Sequence, residues 1–149
     1  MEALRTTQEA MRLSIEFPFL PQMDLAINRI LFGAGKMTIR QLYGMHAAKV
    51  RKVKEEYAEY IATIQHTAPV QDWLNRSLAP IRVTWVARYT DHRRRDPGGI
   101  LEALKAAQDA VVKMKLLQDD GPPIVQEVTI KVLLGQHREG TELILEEVR

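Results

Sequence analysis

Three groupings in this sequence have residue types and spacings that can do chemistry on phosphate. The first is His92-Arg93-Arg94-Arg95-Asp96-Pro97-Gly98-Gly99. Consecutive arginines in a loop repel one another, and they become favourable when phosphate groups sit between them. Asp96 within Asp-Pro-Gly is equally a turn former, since proline sets φ and glycine accepts a positive φ. The second grouping is Asp119-Asp120, just past a predicted helix, where both carboxylates face the negative end of the macrodipole. A divalent cation turns that repulsion into attraction; a solvated acidic loop before Gly121-Pro122-Pro123 is the alternative. The third is Glu102, Lys105 and Asp109, at i, i+3 and i+7 along one side of the intervening helix. An ammonium there can contact a scissile phosphate or steady a developing charge. A surface ion-pair stripe is the plainer account.

Other chemistries are excluded by what is missing or badly spaced. The chain has no cysteine, which removes disulfides, thiolate zinc sites, iron–sulfur clusters and cysteine nucleophiles, and fits a reducing cytosol. No pair among His46, His66, His92 and His137 has zinc-ligand spacing. There is no Gly-x-Ser-x-Gly elbow, and Gly33-Ala34-Gly35-Lys36 lacks phosphate-loop spacing and the following Ser or Thr. The longest uncharged stretch, Tyr60 to Gln71, contains Gln65, His66 and Pro69 and falls short of the roughly 20 apolar residues that span a bilayer. Glu2, Arg5, Glu9 and Arg12 near the N-terminus predict no signal peptide.

Charge is segregated although the net value is only +2. Arg29, Lys36, Arg40, Lys49, Arg51, Lys52 and Lys54 fall between Leu25 and Lys54 without a single acid. Arg82, Arg88, Arg93, Arg94 and Arg95 follow between Pro80 and Arg95 against Asp91 alone. The excess acid sits at Glu55–Glu59, Asp119–Asp120 and Glu142–Glu147. Such segregation predicts a basic face for a polyanion and a separate acidic site, with ordinary solvated helix faces as the alternative.

These groups must be positioned by one domain of 149 residues, with a hydrophobic fraction of 46% and residues 1–12 as a polar leader. Alternating Leu13, Ile15, Phe17 and Phe19 predict a strand, and Pro18 and Pro21 predict an edge position or an early stop. Gly33 and Gly35 mark a loop, Thr38 is a helix cap, and a helix follows from Ile39 to Ile64. Gly44 should weaken or divide it, and Pro69 should end it. Val70 to Leu78 predicts a short helical turn with Trp73 inward. Ile81 to Tyr89 is a strand, Ile100 to Leu117 an amphipathic helix, and Ile124–Leu134 and Thr141–Val148 two strands joined by a turn at 136–140. The order β-α-β-α-β-β predicts an α+β domain, a single mixed sheet with helices packed on a face.

Taken together, Arg93-Arg94-Arg95-Asp96, then Ala103-Leu104-Lys105 with Asp109-Ala110, then Leu117-Gln118-Asp119-Asp120 resemble the RusA family of phage and prophage Holliday-junction resolvases. The family pattern is a basic run ending in D-x-D-N, a helix carrying Lys and D-A, and a D-D pair eleven to twelve residues on. Here Asp109 to Asp120 is eleven residues. Asn28-Arg29 after Pro21 matches the early P-x-N-x-R loop more weakly. The similarity runs from about Ile81 to Val148, and the first 80 residues agree in outline.

The resemblance implies a homodimeric, Mg²⁺-dependent endonuclease (Mn²⁺ as a substitute) that cuts four-way DNA junctions in the cytoplasm of a bacterial or phage-infected cell. It assigns Asp96, Asp120 and Lys105 to catalysis, with Asp96, Asp119 and Asp120 at the metal. The second Asp of D-x-D falls on Gly98, or on Leu101 when the alignment is anchored at Lys105. Glu102, one turn before Lys105, is the candidate replacement ligand. Arg93, Arg94 and Arg95 would clamp phosphates, with Arg29, Lys36, Lys49, Arg51, Lys52 and Lys54 extending the basic face. The alternatives are a catalytically impaired branched-DNA-binding protein on the same fold, and an interaction protein whose basic helix docks an acidic partner.

Overall fold

The structure is a computed structural model and describes residues 10–21, 39–76, 79–93, 97–119 and 121–148. The elements are β1 (Arg12–Phe17), α1 (Ile39–Ile64), α2 (Ala68–Leu74), β2 (Ile81–Arg88), α3 (Pro97–Lys113), β3 (Val125–Leu133) and β4 (Gly140–Glu147). The four strands form one sheet in the order β1-β4-β2-β3. β1 and β2 run antiparallel to β4, and β3 runs parallel to β2. The fold is α+β with one mixed sheet, as the element order predicts.

The alternation in each strand sorts its side chains. Leu13, Ile15 and Phe17 of β1, Leu143 and Leu145 of β4, and Ile81, Val83, Trp85 and Ala87 of β2 share one face and are buried. Against them pack Val53, Tyr57 and Ile61 of α1 and Leu104, Ala107, Ala110 and Val111 of α3. Phe17, Tyr57 and Trp85 meet at the centre, with the Phe17 and Tyr57 rings 4.6 Å apart. The polar atoms of this core are paired. Trp85 Nε1 donates to Gln108 Oε1, and Trp73 Nε1 donates to the carbonyl of Leu116. Thr141 donates its hydroxyl proton to Phe19 O, so the Tyr57 hydroxyl is the donor to Thr141 Oγ1. Burial pushes the Tyr57 hydroxyl far above its usual pKa, so it stays protonated.

β1 is an edge strand that stops before Pro18, so both readings of the prolines hold. α1 has its expected limits and runs unbroken through Gly44. One helical glycine costs only about 1 kcal/mol, less than the burial of Val53, Tyr57 and Ile61 provides. α2 begins two residues earlier than expected, because Pro69 enters its first turn instead of merely ending α1. The Thr67 hydroxyl donates back to Ile64 O and closes α1. α3 also begins early, with Pro97 as its first residue. It stops at Lys113, four residues short of Leu117. Lys115 has φ +66, its N–H donates to Val112 O, and Leu116 N–H donates to Val111 O. That is a Schellman stop with lysine in the place glycine usually takes.

The last two strands correct a simple picture. β3 and β4 follow one another but are not neighbours, because β2 lies between them. α3 is the crossover between the parallel pair β2 and β3, and residues 134–139 step over the end of β2 to reach β4. Residues 1–9 of the polar leader, the Gly33–Gly35 loop and the Thr38 cap lie outside the described residues. No described helix is long and apolar enough to cross a membrane.

Candidate nucleic-acid interface

The site is built where β2 and β3 end and α3 begins. Tyr89 N–H donates to Leu133 O, Gln136 N–H donates to Tyr89 O, and Gly135 N–H donates to Asp91 O, all at 2.9 Å. These bonds clasp the loop after β2 to the link after β3. Asp91 Oδ1 accepts the backbone N–H of Arg93 at 3.0 Å and tightens the loop. Gly135 has φ +62, and a Cβ there would lie 2.3 Å from His92 Cε1. Glycine adopts that conformation without strain and lets the imidazole lie close over the backbone. The clasp presents His92 and Arg93 on one loop and His137 and Arg138 on the other, all exposed.

Beside it a cleft of about 790 Å³ is lined by Glu16, Phe17, Tyr60, Arg88, His137 and Arg138, among others. Arg88 Nη2 donates to Glu142 Oε1 at 2.7 Å, and Ser14 Oγ donates to Glu142 Oε2 at 2.7 Å. Partial burial alone would raise the Glu142 carboxyl. The hydrogen bonds from Arg88 and Ser14 and the charges of Arg88 and Arg12 outweigh it and hold the group below its ordinary value.

α1 and α3 run side by side in the same direction, since His46 Nε2 reaches Glu102 at 2.9 Å and Lys54 Nζ reaches Asp109 at 3.4 Å. The basic first half of α1 therefore lies along the N-terminal two-thirds of α3. Arg51 and Lys52 are exposed, Lys49 is half-buried and Lys105 is exposed. Lys54, expected at DNA, is held by Asp109 within the chain, and Glu102, expected at metal, is held by His46. Both acids of the expected stripe are thus partners across the α1–α3 groove.

Of the expected metal ligands, Glu102 and Asp119 are among the described residues. Mg²⁺ takes oxygen ligands at about 2.0–2.1 Å, so two carboxylates sharing one ion must nearly touch. Glu102 lies eleven residues before the end of α3, an axial rise of about 16 Å. Asp119 lies beyond that end. The chain between is anchored there by the Leu116 carbonyl under Trp73, and the next described residue, Gly121, accepts from Ile124 and Val125 where β3 starts. Glu102 and Asp119 are thus set toward different ends of α3, and the two acids expected at the centre of the site, Asp96 and Asp120, lie outside the described residues. No three His, Asp or Glu side chains among the described residues are placed to hold a metal. Asp96, Asp120, Arg94, Arg95, Arg29 and Lys36 lie outside the described residues.

His137 and Arg138 escape a reading by motif. Their loop shows no ligand spacing, and only the crossing of β2 between β3 and β4 brings it to the Arg93 loop. The chain matches no known family model and no curated protein.

Proposed function

We propose that this chain binds branched DNA, gripping phosphates at the end of the sheet where α3 begins. The observation that carries the reading is the convergence of two backbone-clasped basic loops, holding Arg93 and Arg138, with the basic half of α1. Phosphate contacts of this kind confer affinity without reading bases, and shape then selects the branched form. A four-way junction is two-fold symmetric, so a homodimer matches it, and the cytoplasm of a bacterial or phage-infected cell is where it would meet such DNA.

Mg²⁺-dependent cleavage of the junction is the second reading. It is supported by the order Asp96, Lys105, Asp119, Asp120 in the sequence. A synthetic four-way junction in EDTA, Mg²⁺ or Mn²⁺ tests both. The expected result is a retarded, uncut junction in all three, bound more tightly than linear duplex of the same length. Nicks in Mg²⁺ that vanish in Asp120→Asn would establish the endonuclease instead. No retardation at low salt would overturn both.

A further inference from the structure

β3 is the other edge of the sheet, and among the described residues nothing pairs with its outer side. Val128, Ile130 and Val132 are in register with Val83, Trp85 and Ala87, so they continue the core face beyond β2. Ile130 is partly buried against the core, but Val128 is 45% exposed and Val132 39%. A long, exposed, apolar edge is a template for another strand.

We propose that the occupant is β3 of a second copy of this chain, paired antiparallel about a two-fold axis through Thr129. The inference rests on the homodimer reading and adds where the two copies meet. Backbone polarity limits the register. Tyr89 N–H donates to Leu133 O, so past the bulge at the start of β3, from Glu127 onward, the odd-numbered residues turn their backbone groups toward β2. The even-numbered residues turn theirs to the free edge, and an antiparallel partner must bond through them. Only even-to-even registers qualify. The one centred on Thr129 sets Glu127 against Lys131 of the partner subunit and Lys131 against the partner's Glu127. It also sets Val128 against the partner's Ile130, and Ile130 against the partner's Val128.

The strand is thus complementary to its own reverse in charge and in apolar face. Sliding by two residues opposes Glu127 to threonine or leucine and loses both ion pairs. Glu127 already accepts from Arg82 Nε at 2.9 Å and from Thr129 Oγ1 at 3.3 Å. A carboxylate has capacity for the further donor. The result is a continuous eight-stranded sheet with both helix layers on the same side.

Sedimentation velocity on the whole chain should give twice the 17.0 kDa chain mass. Glu127→Lys alone and Lys131→Glu alone should each sediment as monomers, since each opposes like charges twice. Mixing the two should restore a dimer, because every opposed pair is then of opposite sign. Far-UV circular dichroism checks that each variant is folded. The chain has no cysteine, so Thr129→Cys supplies a clean second readout. Opposed residues in a non-hydrogen-bonded pair lie about 4.5 Å apart at Cα, within disulfide reach. Mild oxidation should link Thr129→Cys into a covalent dimer and leave Val132→Cys, which faces the partner's Gln126, largely unlinked. A wild-type monomer would overturn this inference together with the homodimer reading. A dimer indifferent to the charge changes and not linked at residue 129 would overturn this inference alone.

Discussion

Gly135 shows how much a single position contributes to the candidate interface. Its φ of +62 strains any residue with a Cβ, and a Cβ there would push the exposed His92 ring aside. Gly135→Ala should cost about 1–3 kcal/mol in urea unfolding, the ordinary penalty for a side chain in that backbone region, with the contact to His92 adding to it. It should also loosen the clasp between the loop carrying Arg93 and the loop carrying Arg138. Glu142 makes a pH-dependent contribution. Its folded carboxyl is held below the ordinary 4.5 by Arg88, Ser14 and Arg12 against the opposing effect of burial. A lowered carboxyl stabilises the fold fully above its unfolded value, and that stability is lost as pH falls through the folded one. The difference in stability between wild type and Glu142→Gln should therefore be constant near pH 7 and shrink below pH 4.5. A difference that grows on acidification would refute the sign.

The ends of α3 explain where a pattern of apolar residues is a poor guide to a helix. Met114, Leu116 and Leu117 continue the helical spacing, yet the helix has stopped, because Lys115 turns the chain so that Leu116 and Leu117 enter the core from a loop. Lys115→Gly keeps that turn without the Cβ penalty and should raise stability by up to about 1 kcal/mol. A buried pair ties the end of β4 to the segment after α2 and to the start of β1. Arg76 lies over the Trp73 ring and reaches Glu147 Oε2 at 3.0 Å, while Glu147 Oε1 accepts the Met11 N–H. The two side chains are only 8% and 0% exposed. Glu147→Ala removes the buried carboxylate that the Arg76 guanidinium and the Met11 N–H both use, and thermal or urea unfolding should show a loss of about 3–5 kcal/mol. The Lys54–Asp109 pair is more than a third exposed on both sides, and Asp109→Ala should change stability by less than about 1 kcal/mol.

Across the molecule, charge is ordered along the α1–α3 pair. The basic half of α1 lies toward the two clasped loops, and Glu55, Glu56 and Glu59 lie toward the opposite end. If the proposed interface neutralises about 6 phosphates, the log–log dependence of junction affinity on salt should have a slope near −5. Arg138→Ala should reduce that slope by about 1 and weaken junction and linear duplex alike, since a phosphate contact carries no sequence information. A slope near zero would remove nucleic acid from the account.

Much of this architecture is legible in the residues alone. The alternation of Ile81, Val83, Trp85 and Ala87, and the spacing of Val53, Tyr57, Ile61 and Ile64, place β2 and α1 at or near their observed limits, because burial on one face imposes a period on the sequence. The absence of cysteine and the lack of a sufficiently long apolar stretch likewise bound the chemistry before any folding is considered. Adjacency is different. That β2 separates β3 from β4, and that the loop carrying His137 and Arg138 is clasped to the loop carrying Arg93, are matters of which strand pairs with which; that Glu102 turns to His46 is a matter of which helix packs beside which. Hydrogen-bond partners across a sheet are chosen among segments distant in the chain, and a local period carries no record of that choice.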